Sequence, residues 1–420
     1  MSPPTTPTEL VITNAHLLDP AAGERRPGAS VRVVGDRVVE VVEDGAPLSP
    51  SGDAPVVDAG GRTLMPGLID AHVHAAITTM DLAAMARRSP TRVGIEAKAV
   101  LERMLRRGFT TVRDAGGLDA GLKEALQAGL ISGPRVFRSG RVLSQTGGHG
   151  DIAPASNDPH IGVCSISTSS FSHVADGVDA VRRAAREELK GGADQIKVMA
   201  GGGVATPTDP IDMVQYTEEE IGAAVSEAAA RRTYAFAHAY IPEAVVRAVR
   251  AGVRSIEHGN LIDEASARAM AEQGCYLVPT LVIFDQVAQF GRALNFPAES
   301  LAKLDAVFGA GLHAIEIAAT AGVEIGFGTD LLGETHDAQS RELVLRAQVQ
   351  SAADVIRSAT VVNAALLRRA GELGVVAPGA FADLLLVDGD PLQDIGVLDG
   401  QGDHLDLVVR AGEIVVNRLS

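Results

Sequence analysis

Short apolar runs alternate along the chain with longer amphipathic stretches whose apolar residues recur every three or four positions. The short runs are typical of strands buried on both faces, and the longer stretches are typical of helices. Strands are predicted at 68–74, 110–116, 135–143, 195–200, 234–240, 255–259, 275–281 and 324–330. Helices are predicted between them at 91–107, 118–130, 175–190, 217–231, 242–251 and 263–273. This alternation favours an α/β fold, a (β/α)8 TIM barrel, over an open doubly wound sheet, because no GxGxxG follows the first strand.

The two ends of the chain have another pattern, in which Val and Ile are interrupted by Gly, Asp and Pro. Such runs predict short strands and turns, at 9–14, 30–42, 54–58, 381–388 and 407–416, the last with a turn at Ala411 and Gly412. We therefore expect a small β-sandwich domain formed by both termini, from residues 1–65 and 371–420. The barrel would then span residues 66–370.

One long connection, residues 144–174, is rich in Gly, Pro, Ser and Asn and has little periodicity. Loops of this length inside a compact domain are usually functional. In a barrel it would lie over the carboxyl ends of the strands, where active sites are found. The connections at 200–216 and 282–300 are expected to join it there.

Composition narrows the possible partners and compartment. A net charge of -16 in 420 residues argues against nucleic acid and anionic membranes as partners. Cys164 and Cys275 are too few for a disulfide framework, which is typical of a reducing compartment. The chain has neither a secretory signal pattern nor an apolar run approaching ~20 residues. These features predict a cytoplasmic protein.

Histidines and one carboxylate stand at the ends of several predicted strands. His72 and His74 are two positions apart on the first strand and therefore share a face. His238, His258 and Asp330 end the fifth, sixth and eighth strands. In a barrel these ends converge, so the side chains could hold one or two divalent ions. Imidazole with carboxylate suits Zn, and less specifically Mn, Fe or Co.

Lys197 lies among apolar residues of the fourth predicted strand. The chain has only five lysines, and Arg replaces Lys almost everywhere else. A snorkelling or salt-bridged lysine is the structural alternative. Burial, however, lowers the pKa of a lysine and makes the neutral amine available, which Arg cannot offer. A neutral amine can take up carbon dioxide as a carbamate, an anionic and bidentate ligand.

The order His-x-His, Lys, His, His, Asp on successive strands resembles the amidohydrolase superfamily in its binuclear form with a carboxylated lysine. The neighbouring sequences agree, among them LMPGLIDAHVHA, GFTTVRDAGG, DQIKVMAGGGV, AFAHAY, SIEHGN and GFGTDLLGE. Both ends resemble members with a composite β-sandwich. GGHGD, KVMAGGG and HAY are most similar to the Xaa-Pro dipeptidase and carboxypeptidase-like branch, which includes ochratoxin-type amidases.

The resemblance implies a role for each predicted ligand. His72, His74 and Asp330 would hold the more buried metal, and His238 and His258 the outer one. The lysine carboxylated at its Nζ and a hydroxide would bridge the two ions. Two ions ~3.5–4 Å apart can activate the hydroxide and polarise the scissile carbonyl together. Asp330 would take the proton of the hydroxide and return it to the leaving amine.

Two further residues are predicted to bind substrate. His149, in the long loop, would by resemblance contact the substrate carbonyl or carboxylate and is a second catalytic candidate. Tyr240 shares a strand face with His238 and could hydrogen-bond a free α-carboxylate. The alternatives are a surface histidine and an interfacial tyrosine. Arg113 is a weaker candidate, with pairing to Asp114 as its alternative.

The resemblance predicts a metal-dependent hydrolase of an amide C–N bond in a dipeptide or N-acyl amino acid with a free carboxylate, and a homo-oligomer. The same centre would also suit a cyclic amide, lactone or organophosphate. A one-metal hydrolase is disfavoured because Lys197 is present. A non-catalytic binding paralogue is disfavoured because such proteins typically lack several ligands, whereas no ligand position is altered here.

Overall fold

The structure is a computed structural model that describes residues 9–46, 48–85, 87–152, 171–206, 209–294, 296 and 298–419. Part of the predicted loop 144–174, with His160 and Cys164, lies outside the described residues. The chain divides into two compact units. One comprises Met1–Ile69, Arg103–Thr111 and Leu343–Ser420, and the other comprises Asp70–Glu102 and Val112–Glu342. The predicted domain boundaries at residues 65/66 and 370/371 stay a prediction.

The strands, numbered along the chain, are β1 (Glu9–Asp19), β2 (Glu24–Val34), β3 (Arg37–Val42), β4 (Val56–Asp58), β5 (Thr63–Pro66), β6 (Leu68–Val73), β7 (Phe109–Asp114), β8 (Arg135–Arg138), β9 (Val142–Ser144), β10 (Ser172–Val174), β11 (Ile196–Met199), β12 (Ala235–Ala239), β13 (Ser255–His258), β14 (Tyr276–Val278), β15 (Leu384–Val387), β16 (Leu405–Arg410) and β17 (Glu413–Asn417). The α-helices are α1 (Leu82–Met85), α2 (Pro90–Arg106), α3 (Ala120–Gln127), α4 (Val178–Lys190), α5 (Glu218–Ala230), α6 (Pro242–Arg250), α7 (Glu264–Glu272), α8 (Leu281–Phe290), α9 (Ala298–Val307), α10 (Gly311–Thr320), α11 (Arg341–Arg346), α12 (Ala352–Arg357) and α13 (Asn363–Leu366).

Both ends of the chain contribute to one eight-stranded sheet. Its order is β17-β16-β15-β5-β1-β2-β3, with β4 paired to β1. Alternate residues of these strands, such as Leu384 and Leu386, share one face and are buried in a common apolar cluster, as the two-residue period of a strand requires. The predicted turn between β16 and β17 is confirmed, with φ of 50° at Ala411 and 80° at Gly412.

The second unit alternates strands and helices. Its larger sheet has the order β10-β9-β11-β12-β13-β14, and every adjacent pair in it is parallel. The residues of β11, β12 and β13 are all buried, as expected for strands covered on both faces. A three-stranded sheet, β6-β7-β8, contributes the first strands. The carboxyl ends of the parallel strands therefore lie at one edge.

Three predictions for this unit are wrong in detail. The third strand is divided into β8 and β9, because Gly140 adopts a φ of 77° between them. Residues 324–330 form only an isolated bridge, Ile325 to Leu277, although backbone hydrogen bonds join the segment to both neighbouring strands. The Gly326 N–H donates to the Leu277 carbonyl of β14, and the Phe327 carbonyl accepts from the Ala71 N–H of β6. Residues 282–300 hold most of α8 and the start of α9, because their apolar residues also fit a helical period.

Helix boundaries follow the capping signals in the sequence. Thr217 and Glu220 form a reciprocal capping box at the start of α5, and Asp263 caps α7 through Ser266. Pro242 occupies the first turn of α6, where no donor is needed. Within the described ranges, none of the helices has both the length and the apolarity that crossing a bilayer requires.

Candidate metal centre

One cavity at the carboxyl edge of the strands contains every predicted metal ligand. Its lining includes the side chains of His72, His74, Lys197, His238, His258 and Asp330, together with His149. His72, His258 and Asp330 place one donor atom each within 4.8 Å of the others, a spacing that one metal ion can bridge. The structure thus brings together residues that span more than half of the sequence.

Asp330 is the centre of this cluster. One carboxylate oxygen, Oδ1, lies 3.3 Å from Nε2 of His72 and 3.1 Å from Nε2 of His74, and Oδ2 lies 3.9 Å from Nδ1 of His258. Burial alone would raise the pKa of Asp330, but the adjacent imidazoles, His72 first, hold that pKa well below its usual range. The carboxylate is therefore ionised at neutral pH, as a metal ligand must be.

Two of the clustered residues have unusual backbone conformations. His258 has a φ of 72° and Asp330 a φ of 56°, both in the left-handed region. For residues other than glycine this costs on the order of 1–3 kcal/mol, and such strain is concentrated at functional sites. His258 ends β13 and Asp330 ends the segment 324–330, and the side chains of both line the cavity.

Three of the histidines are oriented by a second partner. In His72, Nδ1 lies 2.7 Å from a carboxylate oxygen of Glu257. In His74, Nδ1 lies 2.9 Å from the carbonyl oxygen of Gly116, and in His258 it lies 2.7 Å from the hydroxyl of Thr280. Each contact leaves Nε2 for another ligand, which is the usual arrangement of metal-binding histidines. Burial lowers the pKa of His72 and holds that of His258 well below its ordinary value, so both are neutral and can coordinate.

Behind His72 lies a fully buried group that we call the strand network, formed by His72, Glu257 and Arg113. Glu257 accepts from Nη2 of Arg113 at 2.8 and 2.9 Å and is also contacted by Nδ1 of His72. Burial raises the pKa of Glu257, but Arg113, His72 and Lys197 together outweigh it, so the net shift of the pKa is downward. Arg113 therefore pairs with a carboxylate, as its alternative predicted, but the partner is Glu257. Asp114, the suggested example, instead accepts from backbone N–H groups, including that of Ala75.

Lys197 is buried on β11 and is only 1% exposed, so the snorkelling alternative does not apply. Its Nζ lies 5.0 Å from the centroid of the Phe236 ring. Burial lowers the pKa of Lys197 to about 8, against the attraction of Glu257 and Asp330. A substantial fraction of the amine is therefore neutral near physiological pH, which is the form that reacts with carbon dioxide.

His238 makes a different contact from the other histidines. Its ring lies 4.6 Å from that of His258, centroid to centroid, yet Nε2 is 3.1 Å from the Gly202 carbonyl. Burial holds the pKa of His238 well below its ordinary value, so the ring is neutral and donates to this carbonyl. To coordinate through Nε2, the imidazole would have to exchange this hydrogen bond for a metal ion.

A second set of residues, the loop network, comprises His149, Asp209 and Lys303, of which only His149 lines the cavity. Nδ1 of His149 lies 3.1 Å from a carboxylate oxygen of Asp209. Lys303 is 3.4 Å from the other oxygen of Asp209. The His149 ring stacks on that of His238 with 4.3 Å between centroids. Residue 149 therefore reaches the cavity, and a surface position for it is excluded.

Tyr240 lines an adjoining cavity, which shares His149, Ala205, Asp330 and Leu332 with the first. Its remaining lining residues are apolar: Val204, Ile283, Phe284, Val287 and Phe296. Burial holds the pKa of Tyr240 well above its ordinary value, so the phenol keeps its proton and remains a donor. His336 does not line either cavity; Nε2 of this buried residue is 3.0 Å from the Ile77 carbonyl.

Sequence inspection missed Glu257, Asp209 and Lys303. Glu257 had a signal, because a glutamate inside the apolar run of β13 is as unusual as Lys197 in β11. Asp209 and Lys303 had none, because Asp209 lies in a connection without periodicity and Lys303 lies on α9, a helix that was not predicted.

The comparison with protein-family models gives one match, to the amidohydrolase family, over residues 63–415. Ochratoxinase of Aspergillus niger is 31% identical over 404 residues, covering 93% of this chain and 83% of the relative.

Two solved structures are also similar. A prolidase in complex with N-methylphosphonate-L-proline is 47% identical, with a TM-score of 0.94 and coverage of 98% of this chain and 100% of that one. A Xaa-Pro dipeptidase with methionine bound in its active site is 30% identical, with a TM-score of 0.85 and coverage of 97% and 99%.

Proposed function

Because the chain belongs to the amidohydrolase family, we propose that it is a metal-dependent hydrolase of the amide bond in a dipeptide or N-acyl amino acid with a free carboxylate. The family assignment made from the sequence motifs is confirmed. The observation that supports the function is the convergence of Asp330 on the Nε2 atoms of His72 and His74, beside a buried lysine. Hydrolysis of a C–N bond is also the activity that the names of the relatives indicate.

The donor set fits divalent metal ions. His72, His74 and Asp330 would hold one ion, His238 and His258 a second, and Lys197 would bridge them as its carbamate. The bound ions, for which Zn suits these ligands, would lower the pKa of a water and polarise the scissile carbonyl. Asp330 would accept the proton of the attacking water and deliver it to the leaving nitrogen, since it is ionised and lies at the centre of the cluster.

The cavity next to the cluster supports the choice of substrate. Tyr240 would donate its phenolic proton to the α-carboxylate, and Nε2 of His149 would face the carbonyl or carboxylate. The apolar residues of α8, among them Ile283 and Phe284, favour an apolar substrate side chain. The relatives crystallised with methionine and with a proline derivative bind ligands of this kind.

We further propose that the parallel strands close into a (β/α)8 barrel and that the terminal sheet forms a sandwich. Hydrogen bonds from Gly326 to Leu277 and from Asp330 to His72 join the eighth segment to both of its neighbours, which supports closure. Cytoplasmic location and homo-oligomerisation stay predictions.

The proposal can be tested with protein reconstituted with zinc and bicarbonate and assayed on N-acyl amino acids, Xaa-Pro dipeptides, lactones and organophosphates. We expect cleavage of amides with a free carboxylate, about two metal equivalents per chain, and loss of both in Lys197→Ala. The matched control is Lys190→Ala at the end of α4, which should retain both. Cleavage of lactones or organophosphates alone would support the alternative substrates. A chain without metal that cleaves nothing would contradict the proposal.

A further inference from the structure

We propose that Asp209, fixed by Lys303, is a positioning residue that sets the orientation of the His149 imidazole against the substrate. This inference rests on the proposed function, because it concerns the residue that would contact the substrate carbonyl or carboxylate. Neither Asp209 nor Lys303 lines the metal cavity, so each would act through His149.

The backbone at His149 is attached to a second loop. Its N–H donates to the side-chain oxygen of Gln215 at 2.8 Å, and its carbonyl accepts from the hydroxyl of Thr206. These contacts tie the GGHGD segment to the connection that follows β11. The position of the residue is therefore fixed, but a histidine side chain still has two rotatable bonds.

The ring of His149 is fixed from three sides. One face stacks on His238, with 21° between the ring planes. Another side lies against Gly203, where a Cβ atom would come within 2.0 Å of Cε1. The Nδ1 edge is held by Asp209 at 3.1 Å. With Nδ1 engaged, Nε2 is the nitrogen left for a substrate.

Asp209 is itself held in one orientation. Its side chain is fully buried, and the oxygen that contacts His149 also accepts from the Gly203 N–H at 2.7 Å. The ammonium of Lys303 lies 3.4 Å from the other oxygen and also donates to the carbonyls of Gly203, Thr206 and Asp209. One cation on α9 thus fixes both the carboxylate and the loop that supplies it. A buried carboxylate held this way directs the tautomer and plane of the histidine it contacts.

The test is a cycle of Asp209→Asn, His149→Gln and the double variant, assayed as zinc-reconstituted protein on an amide that the wild type cleaves. Asparagine keeps an acceptor for Gly203 N–H and removes the charge. We expect Asp209→Asn to lower kcat/KM about tenfold, mainly through KM, in the wild-type background and less than about twofold in the His149→Gln background. Asp194→Asn, which removes another carboxylate paired with a lysine, is the matched control and should leave kcat/KM unchanged.

Equal losses in both backgrounds would overturn the proposal, because Asp209 would then act on the loop rather than through His149. Lys303→Met should give a smaller loss that is likewise absent in the His149→Gln background, and Lys303→Arg should restore most of it.

A second readout does not depend on catalysis. In protein labelled with ¹⁵N-histidine, we expect a hydrogen-bonded Nδ1–H resonance that disappears in His149→Gln and shifts upfield in Asp209→Asn. Absence of this resonance from the wild type would overturn the inference even if amides are cleaved. Its presence in a protein that cleaves no amide would uphold the geometry and refute only the proposed function.

Discussion

Two histidines of the same cavity are each held through Nδ1 by a buried carboxylate that is paired with a cation. In the strand network, Glu257 stands on β13 and Arg113 on β7, two buried strands, and the side chains of both are fully buried. In the loop network, Asp209 lies on a connecting segment and Lys303 on a helix, with 15% of the lysine side chain exposed. The chemistry is the same, but the supporting structure differs.

The difference indicates that the strand network and the loop network have different roles. In the strand network, one guanidinium nitrogen of Arg113 contacts both oxygens of the carboxylate that holds the imidazole, which suits the proposed metal ligand, whose position must not change. In the loop network, a single lysine that binds several loop carbonyls supports His149, the residue proposed to face the substrate, and loops are where specificity varies between related enzymes. We therefore expect damage to the strand network to affect the metal and the fold, and damage to the loop network to affect substrate use alone.

The largest effect should come from Glu257→Gln. It leaves the buried guanidinium of Arg113 without its ion-pair partner, which typically costs about 3–5 kcal/mol. It also replaces the carboxylate that orients His72 with a neutral amide, and loss of such a carboxylate partner typically lowers metal affinity about 10–100-fold. Urea unfolding and metal titration measure the two effects. If Glu257→Gln retained wild-type metal affinity, the expected difference between the two networks would be refuted, because only Asp209→Asn in the loop network is expected to retain it.

The second largest effect is a pH dependence due to Lys197. Its pKa is lowered in the folded state from 10.5 to about 8, so below pH ~8 folding must accommodate a buried cation. In metal-free, bicarbonate-free protein, the free energy of unfolding should rise between pH ~8 and ~10.5, because there only the unfolded chain binds the proton. The gain should be on the order of 3 kcal/mol relative to Lys197→Met. Parallel curves for the two proteins would refute the lowered pKa.

A smaller effect is expected from Gly203→Ala. The backbone of Gly203 does not have a positive φ, so the substitution is not strained there, but the new Cβ would displace the His149 ring. We expect kcat/KM to fall about tenfold with metal content unchanged. Gly222→Ala on α5, where nothing lies within 4 Å of the new Cβ, is the control and should retain full activity. Loss of metal in Gly203→Ala would show that the two networks are not separate.

The smallest effect should come from Tyr240→Phe, which removes one hydroxyl and retains the buried ring. A neutral hydrogen bond to a charged group contributes about 1.5–3 kcal/mol at most, and water can partly replace it at an open cavity. We expect KM to rise a few-fold for substrates with a free carboxylate and to stay unchanged for their amides. An equal change for both substrates would exclude Tyr240 as the carboxylate anchor.

The sequence predicted those parts of the molecule in which strand periodicity and residue chemistry coincide. His72, His74, Lys197, His258 and Asp330 all end or interrupt apolar runs, and all of them face one cavity. Because parallel strands present their carboxyl ends at one edge, placing each residue on a strand was sufficient to place it near the others.

The rest depends on tertiary contacts that have no periodic signal. The eighth segment makes hydrogen bonds on both sides without forming a regular ladder, and its sharp left-handed turn at Asp330 is a property of the folded chain. The contact of Lys303 with the Thr206 carbonyl joins residues 97 positions apart. Neither pattern nor composition could indicate that pair, and the same holds for the contact between His238 and Gly202.

The proposed function requires that Lys197 and the clustered ligands hold a pair of metal ions. A crystal structure of the zinc- and bicarbonate-reconstituted protein is the most direct test. We predict two anomalous scattering peaks about 3.5–4 Å apart, with continuous density extending from Nζ of Lys197 to both and with Asp330 at one of them. A single peak, or an unmodified Lys197 that contacts no metal ion, would contradict the proposed two-metal site.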